Sequence, residues 1–128
     1  MKRNASLGKI FVLLAALAGL LAYAAAPDIA GTWIGKTEVP NAGVDELTLV
    51  IKKTATGFAG TFSDTLGQLN KDSEITAVKL EGDELSFNFP LADGTLMTAK
   101  VKVDGDQMTG TWGHPEGSVG SMTFERKK

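Results

Sequence analysis

Leu47 to Phe62 reads LTLVIKKTATGFAGTF, and Met97 to Trp112 reads MTAKVKVDGDQMTGTW. Each stretch is an alternating apolar and polar run, a turn containing glycine, and a second run that closes on Gly-Thr-aromatic. Alternation with period two puts neighbouring side chains on opposite faces, the mark of a strand with one buried side. Each stretch is therefore expected to fold as a hairpin, and the two as copies of one design. The same alternation begins at Ile29 and runs to the C-terminus, interrupted every 8 to 12 residues by Gly, Asp, Asn or Pro, the spacing of a sandwich or barrel of short strands. Eight strands are predicted, over about Ala30–Glu38, Asp45–Lys53, Phe58–Ser63, Glu74–Glu81, Glu84–Pro90, Thr95–Val103, Gln107–Gly113 and Ser118–Lys127. No stretch after Ala26 carries a helical period over three turns, and no connection is long enough for a βαβ crossover, so successive strands should pair antiparallel.

Alternate residues gather one face: Trp33, Leu47, Leu49, Ile51, Phe58, Phe62, Val78, Leu80, Leu85, Phe87, Phe89, Met97, Ala99, Val101, Val103, Met108, Trp112, Met122 and Phe124. The other face carries Lys52, Lys79, Glu84, Asn88, Lys100, Lys102, Thr109 and Glu125, as a sheet with one wet side requires. A meander with one continuous apolar face closes most economically on itself. The expected fold class is all-β, an eight-stranded antiparallel up-and-down barrel with the first strand beside the last. Glu81-Gly82-Asp83 and Asp104-Gly105-Asp106 supply the glycines that tight hairpin turns need for positive φ. Strand direction sends the tight turns, with Lys53–Gly57, to one end. The longer connections Val39–Val44, Asp64–Ser73, Leu91–Gly94 and His114–Gly117 fall at the other. Ligand sites on such scaffolds sit in the looped mouth, and Asp64–Ser73, the longest loop, is the candidate lid.

Of 128 residues, 43% are hydrophobic and none is cysteine, which allows one ordinary domain and excludes a disulfide scaffold. Ile10 to Ala26 holds seventeen residues without a charge, behind Lys2, Arg3 and Lys9. A basic segment, an apolar segment and the small-x-small sequence Ala22-Tyr23-Ala24 make up a secretory signal peptide. A signal helix over residues 1–24 is therefore expected, with cleavage before Ala25, a barrel domain over 25–128 and a secreted or periplasmic destination. The apolar stretch is shorter than the ~20 residues a membrane span needs, so no stable membrane insertion is expected after cleavage. No cysteine follows it to carry a lipid. The domain that remains has 10 basic against 15 acidic residues, which excludes nucleic acid as a partner because phosphate binding needs clustered Lys and Arg.

Gly31-Thr32-Trp33 opens the first strand, and Arg126 closes the last on the parity of Met122 and Phe124. This resembles the calycin arrangement of lipocalins, in which a G-x-W tryptophan plugs the closed end and an arginine from the last strand lies across it. Trp33–Gly35, Gly57–Asp64 and Gly110–Trp112 are also similar to a small lipocalin-like domain of secreted bacterial proteins, found alone or beside a hydrolase domain. The resemblance covers nearly all of the chain after residue 24. It implies a barrel with Trp33 and Arg126 as structural residues of the closed end. The chain departs from it in having no C-terminal helix, no disulfide and no room for a helical lid between Glu38 and Asp45. Gly57–Ser63 and Gly31–Trp33 resemble avidin-type barrels as well, but the ligand-stacking tryptophans of that family have no counterpart beyond Trp33 and Trp112, so biotin binding does not follow.

His114, the only histidine, sits in a turn between Gly113 and Pro115. A catalytic base needs an orienting partner as well as a position, so it reads as a solvated loop histidine, and no catalytic residue is expected. Asp64, Asp72, Asp93 and Glu116 share its end of the barrel. Without a second histidine or a calcium-loop pattern they read as solubilising charges, with no metal and no cofactor expected. Asp64, at the rim of a strand, is suited to cap the loop that follows it, ahead of a ligand role. Phe62, Asp64, Phe87, Phe89, Met97 and Trp112 are the candidate ligand-binding residues, the aromatics among them equally suited to packing.

The sequence thus points to an exported, non-enzymatic barrel that binds a small apolar or amphipathic ligand at its looped end. The alternative is an interaction or inhibitor module for a secreted hydrolase, with a secreted protein as partner. A cyclase- or isomerase-like enzyme comes third, disfavoured by an interior with almost no titratable group. The interior volume separates the first two: a void above ~300 Å³ fits a carrier, a filled barrel fits the interaction module.

Overall fold

The computed structural model describes residues 27–128, so the expected signal helix and its cleavage point lie outside the described residues. The described chain forms nine strands: β1 Gly31–Val39, β2 Gly43–Thr54, β3 Gly57–Asp64, β4 Ser73–Glu74, β5 Thr76–Glu81, β6 Glu84–Pro90, β7 Leu96–Asp104, β8 Gln107–Gly113 and β9 Val119–Arg126. They make a single antiparallel sheet in the order β4-β3-β2-β1-β9-β8-β7-β6-β5. The first strand therefore lies beside the last, with Trp33 opposite Arg126 and Thr37 opposite Met122. No helix among the described residues is long and apolar enough to cross a membrane.

Where the sequence predicts one strand over Glu74–Glu81, the structure has two, β4 and β5. This segment closes the barrel. Ser73 and Glu74 pair with Phe62 and Thr61 of β3, while Thr76 to Glu81 pair with β6, so one continuous run of chain joins both edges of the sheet. The register on β6 shifts between Thr76 and Lys79, where Ala77 has a φ of 51°. Such a bulge re-aims the side chains on either side of it. Ser73 and Ile75 point inward before it, and Val78 and Leu80 after it, which is a change of parity. Phe58, Val78 and Leu80 pack half-buried against the core along this seam.

Three two-residue turns occupy one end. Thr54 pairs with Gly57, Glu81 with Glu84 and Asp104 with Gln107. Gly82 and Gly105 take φ values of 61° and 60° at the first turn position, which suits glycine and matches the twist of the flanking strands. The long connections lie at the other end, as the strand count dictates.

Every inward residue expected from parity joins the hydrophobic core or packs against it, together with Ile29, Leu69 and Ile75. At the tight-turn end buried side chains fill the interior. Trp33, Leu49, Leu85, Val101, Met108 and Phe124 are all fully buried there. Above them Phe62 meets Phe87 edge-on at 5.8 Å and Phe89 edge-on at 5.0 Å, forming an aromatic layer across the middle of the barrel.

Candidate functional site

The closed end is sealed by Arg126. Its Cζ lies 4.3 Å from the centre of the Trp33 ring. Nη1 donates to Ala30 O at 2.8 Å, Nη2 to Asp28 O at 2.6 Å and Nε to Asp106 Oδ1 at 3.0 Å. The Trp33 indole N–H donates to Ile29 O at 3.0 Å. Every polar group that this plug buries is thereby satisfied.

The looped end is open. Above the aromatic layer lies a cavity of about 230 Å³, walled by Val39, Leu47, Phe62, Leu69, Phe89, Leu91, Met97, Trp112 and Met122. Thr37, Asp45, Gln68, His114 and Ser118 supply its polar groups. The volume falls short of the ~300 Å³ void expected of a ligand carrier, and the barrel is not filled either; it exceeds the ~150 Å³ apolar cavity that admits benzene. The interior is packed in one half and hollow in the other.

The Trp112 ring stands on Gly120 of β9, where an added Cβ would overlap the indole. Its Nε1 donates to Thr37 Oγ1 at 2.9 Å, and that hydroxyl donates to Ser121 O at 2.6 Å. One wall of the cavity is thus fixed by a polar chain running from β8 to β1 and β9.

The loop after β3 covers the opposite side and is held by two carboxylates. Asp64 accepts from Gln68 N at 2.8 Å and Leu69 N at 3.1 Å, which is the capping role its position suggests. Asp45, on the inward parity of β2 and only 2% exposed, accepts from Thr65 N at 3.0 Å, Leu66 N at 2.9 Å and Thr65 Oγ1 at 3.3 Å. Gln68 O in turn accepts from Ala92 N at 2.8 Å, tying the loop to the β6–β7 connection. Burial pushes the Asp45 carboxyl above the ordinary carboxylate value, and the adjacent Asp64 carboxyl pushes it the same way, while the Leu66 and Thr65 amides pull it back.

Of the candidate ligand-binding residues, Phe62, Phe89, Met97 and Trp112 line this cavity. Phe87 is buried in the aromatic layer beneath it, and Asp64 faces the loop backbone. His114 stands at the mouth with Nδ1 accepting from Glu116 N at 3.1 Å. Asp93 accepts from Thr95 N at 2.9 Å, which holds its carboxyl below the ordinary range. The parity rule, applied one step further along β1 and β2, would have found Thr37 and Asp45. Gln68 and Leu69 lie in a loop without period and carried no signal.

No protein-family model and no curated protein matches the chain. Among solved structures it is similar to a redesigned β-barrel, with a TM-score of 0.61 and 11% identity over 78% of this chain and 92% of that one. It is also similar to a de novo designed fluorescence-activating β-barrel, with a TM-score of 0.53 and 15% identity over 77% of this chain and 94% of that one. A mutant of the fluorescent protein UnaG superposes with a TM-score of 0.49 and 15% identity over 78% of this chain and 96% of that one. At such identities the first two likenesses establish the fold alone: the chain is a nearly closed antiparallel β-barrel.

Proposed function

We propose that this chain is an exported, non-enzymatic barrel that binds one small apolar or amphipathic molecule in the cavity at its looped end. The observation that carries the reading is the division of the interior: a closed half filled by buried side chains and covered by Arg126, beneath an apolar, open half of about 230 Å³. A protein that needed its barrel only as a scaffold would gain stability by filling that half, since cavities in cores are costly. The size suits a ligand of one or two rings or a short branched chain. A designed barrel of the same fold being fluorescence-activating agrees with a mouth of this kind serving small molecules. A binding role rather than a catalytic one is supported by the engagement of the polar groups at the site, since Asp45 and Asp64 hold backbone amides and Thr37 holds the indole. Export rests on the sequence of residues 1–24, and intact-mass analysis of the exported protein should find a chain that starts at Ala25.

Isothermal titration with indole tests the cavity. Saturable one-site binding is expected in the native protein and should be lost in Met97→Trp, whose larger side chain occupies the same space. Equal binding by both proteins, or none by either, would overturn the reading.

A further inference from the structure

We infer that the molecule held in this cavity carries a protonated amine and that Asp45 is the group that receives it. The inference rests on the binding reading above and adds the chemical class of the ligand. Asp45 is 2% exposed and lines an otherwise largely apolar cavity. Its three hydrogen bonds from Thr65 and Leu66 all reach Oδ1, and the carboxyl also meets that of Asp64. A carboxylate taken out of water is costly unless a cation or a full set of donors receives it. Asp64, the second carboxyl beside it, hydrogen-bonds to it and also repels its charged form, so an arriving cation is what would let both carboxyls ionise.

No ion pair of the described residues includes Asp45. Lys79, Lys100, Lys102, Lys128 and Arg126 form their ion pairs with Glu81, Glu84, Asp83 and Asp106 on the outer surface or at the closed end. Among the described residues no group of three His, Cys, Asp or Glu side chains is placed to hold a metal ion, and two carboxylates with apolar walls fall short of the six or more oxygen ligands that a calcium site takes. An ammonium needs far less. One charge-assisted hydrogen bond to a desolvated carboxylate is short and strong, and the low dielectric of the cavity strengthens it further. Gln68 and Ser118 line the same cavity and offer oxygens to the remaining N–H groups. Phe62, Phe89 and Trp112 then enclose the apolar body, and an aromatic face also favours a neighbouring cation. The excess of 15 acidic over 10 basic residues across 27–128 attracts cations to the surface. The class is a small arylalkyl or alkyl monoamine.

Three compounds with similar bodies and different charge test this on the full chain at pH 7: phenethylamine, phenethyl alcohol and 3-phenylpropionate. Calorimetry should show the amine binding about tenfold or more tightly than the alcohol, and the carboxylate weakest of the three. Asp45→Asn, which keeps the acceptor oxygen for Thr65 and Leu66, should reduce the amine to the affinity of the alcohol for the same variant. If amine and alcohol bind equally to the native protein, or if the substitution leaves the preference intact, the assignment of Asp45 is wrong while the cavity reading stands. If none of the three binds while indole does, the amine assignment falls and the cavity reading stands; if indole fails as well, both fall.

Discussion

Trp112 Nε1 and Thr37 Oγ1 are joined by a 2.9 Å hydrogen bond that bridges β8 and β1 across the intervening β9. The bond passes over Gly120, the one position of β9 at that level without a side chain to obstruct it. Replacing Thr37 by Val keeps the shape and removes the acceptor, leaving a half-buried indole N–H unpaired. A loss of about 1 to 3 kcal/mol in urea unfolding is expected, with a shifted Trp112 emission spectrum as the ring leaves its place.

Gly120→Ala should move the same ring by steric contact. The added Cβ meets the indole of Trp112 directly, and the side chain has a free cavity to move into. The expected result is a smaller cavity, so that indole affinity falls at least severalfold while the protein still folds. Titration of the variant by calorimetry measures it, and unchanged affinity would mean that Trp112 is not part of the binding wall.

At the other end, Arg126→Ala removes a cover from Trp33 and a donor from two carbonyls at once. A loss of about 1 to 3 kcal/mol is expected. A frayed, solvated terminus would stay within about 0.5 kcal/mol. Urea melts distinguish these outcomes, and ligand affinity at the far cavity should be unaffected.

The sequence made the closed end legible because its signals are local and periodic. Parity and strand direction, with the resemblance to the calycin arrangement, carried Arg126 onto the face of Trp33, and the glycines of Glu81-Gly82-Asp83 and Asp104-Gly105-Asp106 marked the tight turns. It failed where periodicity breaks. Ile75 is buried on the opposite parity to Val78 and Leu80 because the bulge at Ala77 changes the face of the strand. Leu69 and Gln68 reach the cavity from a loop whose path depends on amides captured by Asp45 and Asp64. Asp45 shares parity with Leu47, Leu49 and Ile51, and a charge on an inward parity is the feature that marks the site.

The charge on Asp45 sets a pH dependence of stability. Its carboxyl in the folded protein lies above the value of 3.8 expected when unfolded, burial being the main cause. The unfolded chain therefore gives up this proton first, and the stability associated with the protonated group is complete below that value and lost as the pH rises through the folded one. Asp45→Asn should accordingly be more stable than the native protein at pH 7, and the two should converge near pH 3. Urea midpoints across this range check the sign. A variant less stable at pH 7 than at pH 3, relative to the native protein, would show that the carboxylate stabilises the loop.

The central claim, that the hollow half of the barrel takes a small molecule, is tested most directly by methyl NMR during titration with indole. Saturable shifts are expected at Leu47, Leu69, Leu91, Met97 and Met122, which line the cavity, and none at Leu85, Val101 and Met108 in the closed half. Shifts confined to the outer surface, or no shifts at all at saturating indole, would contradict it.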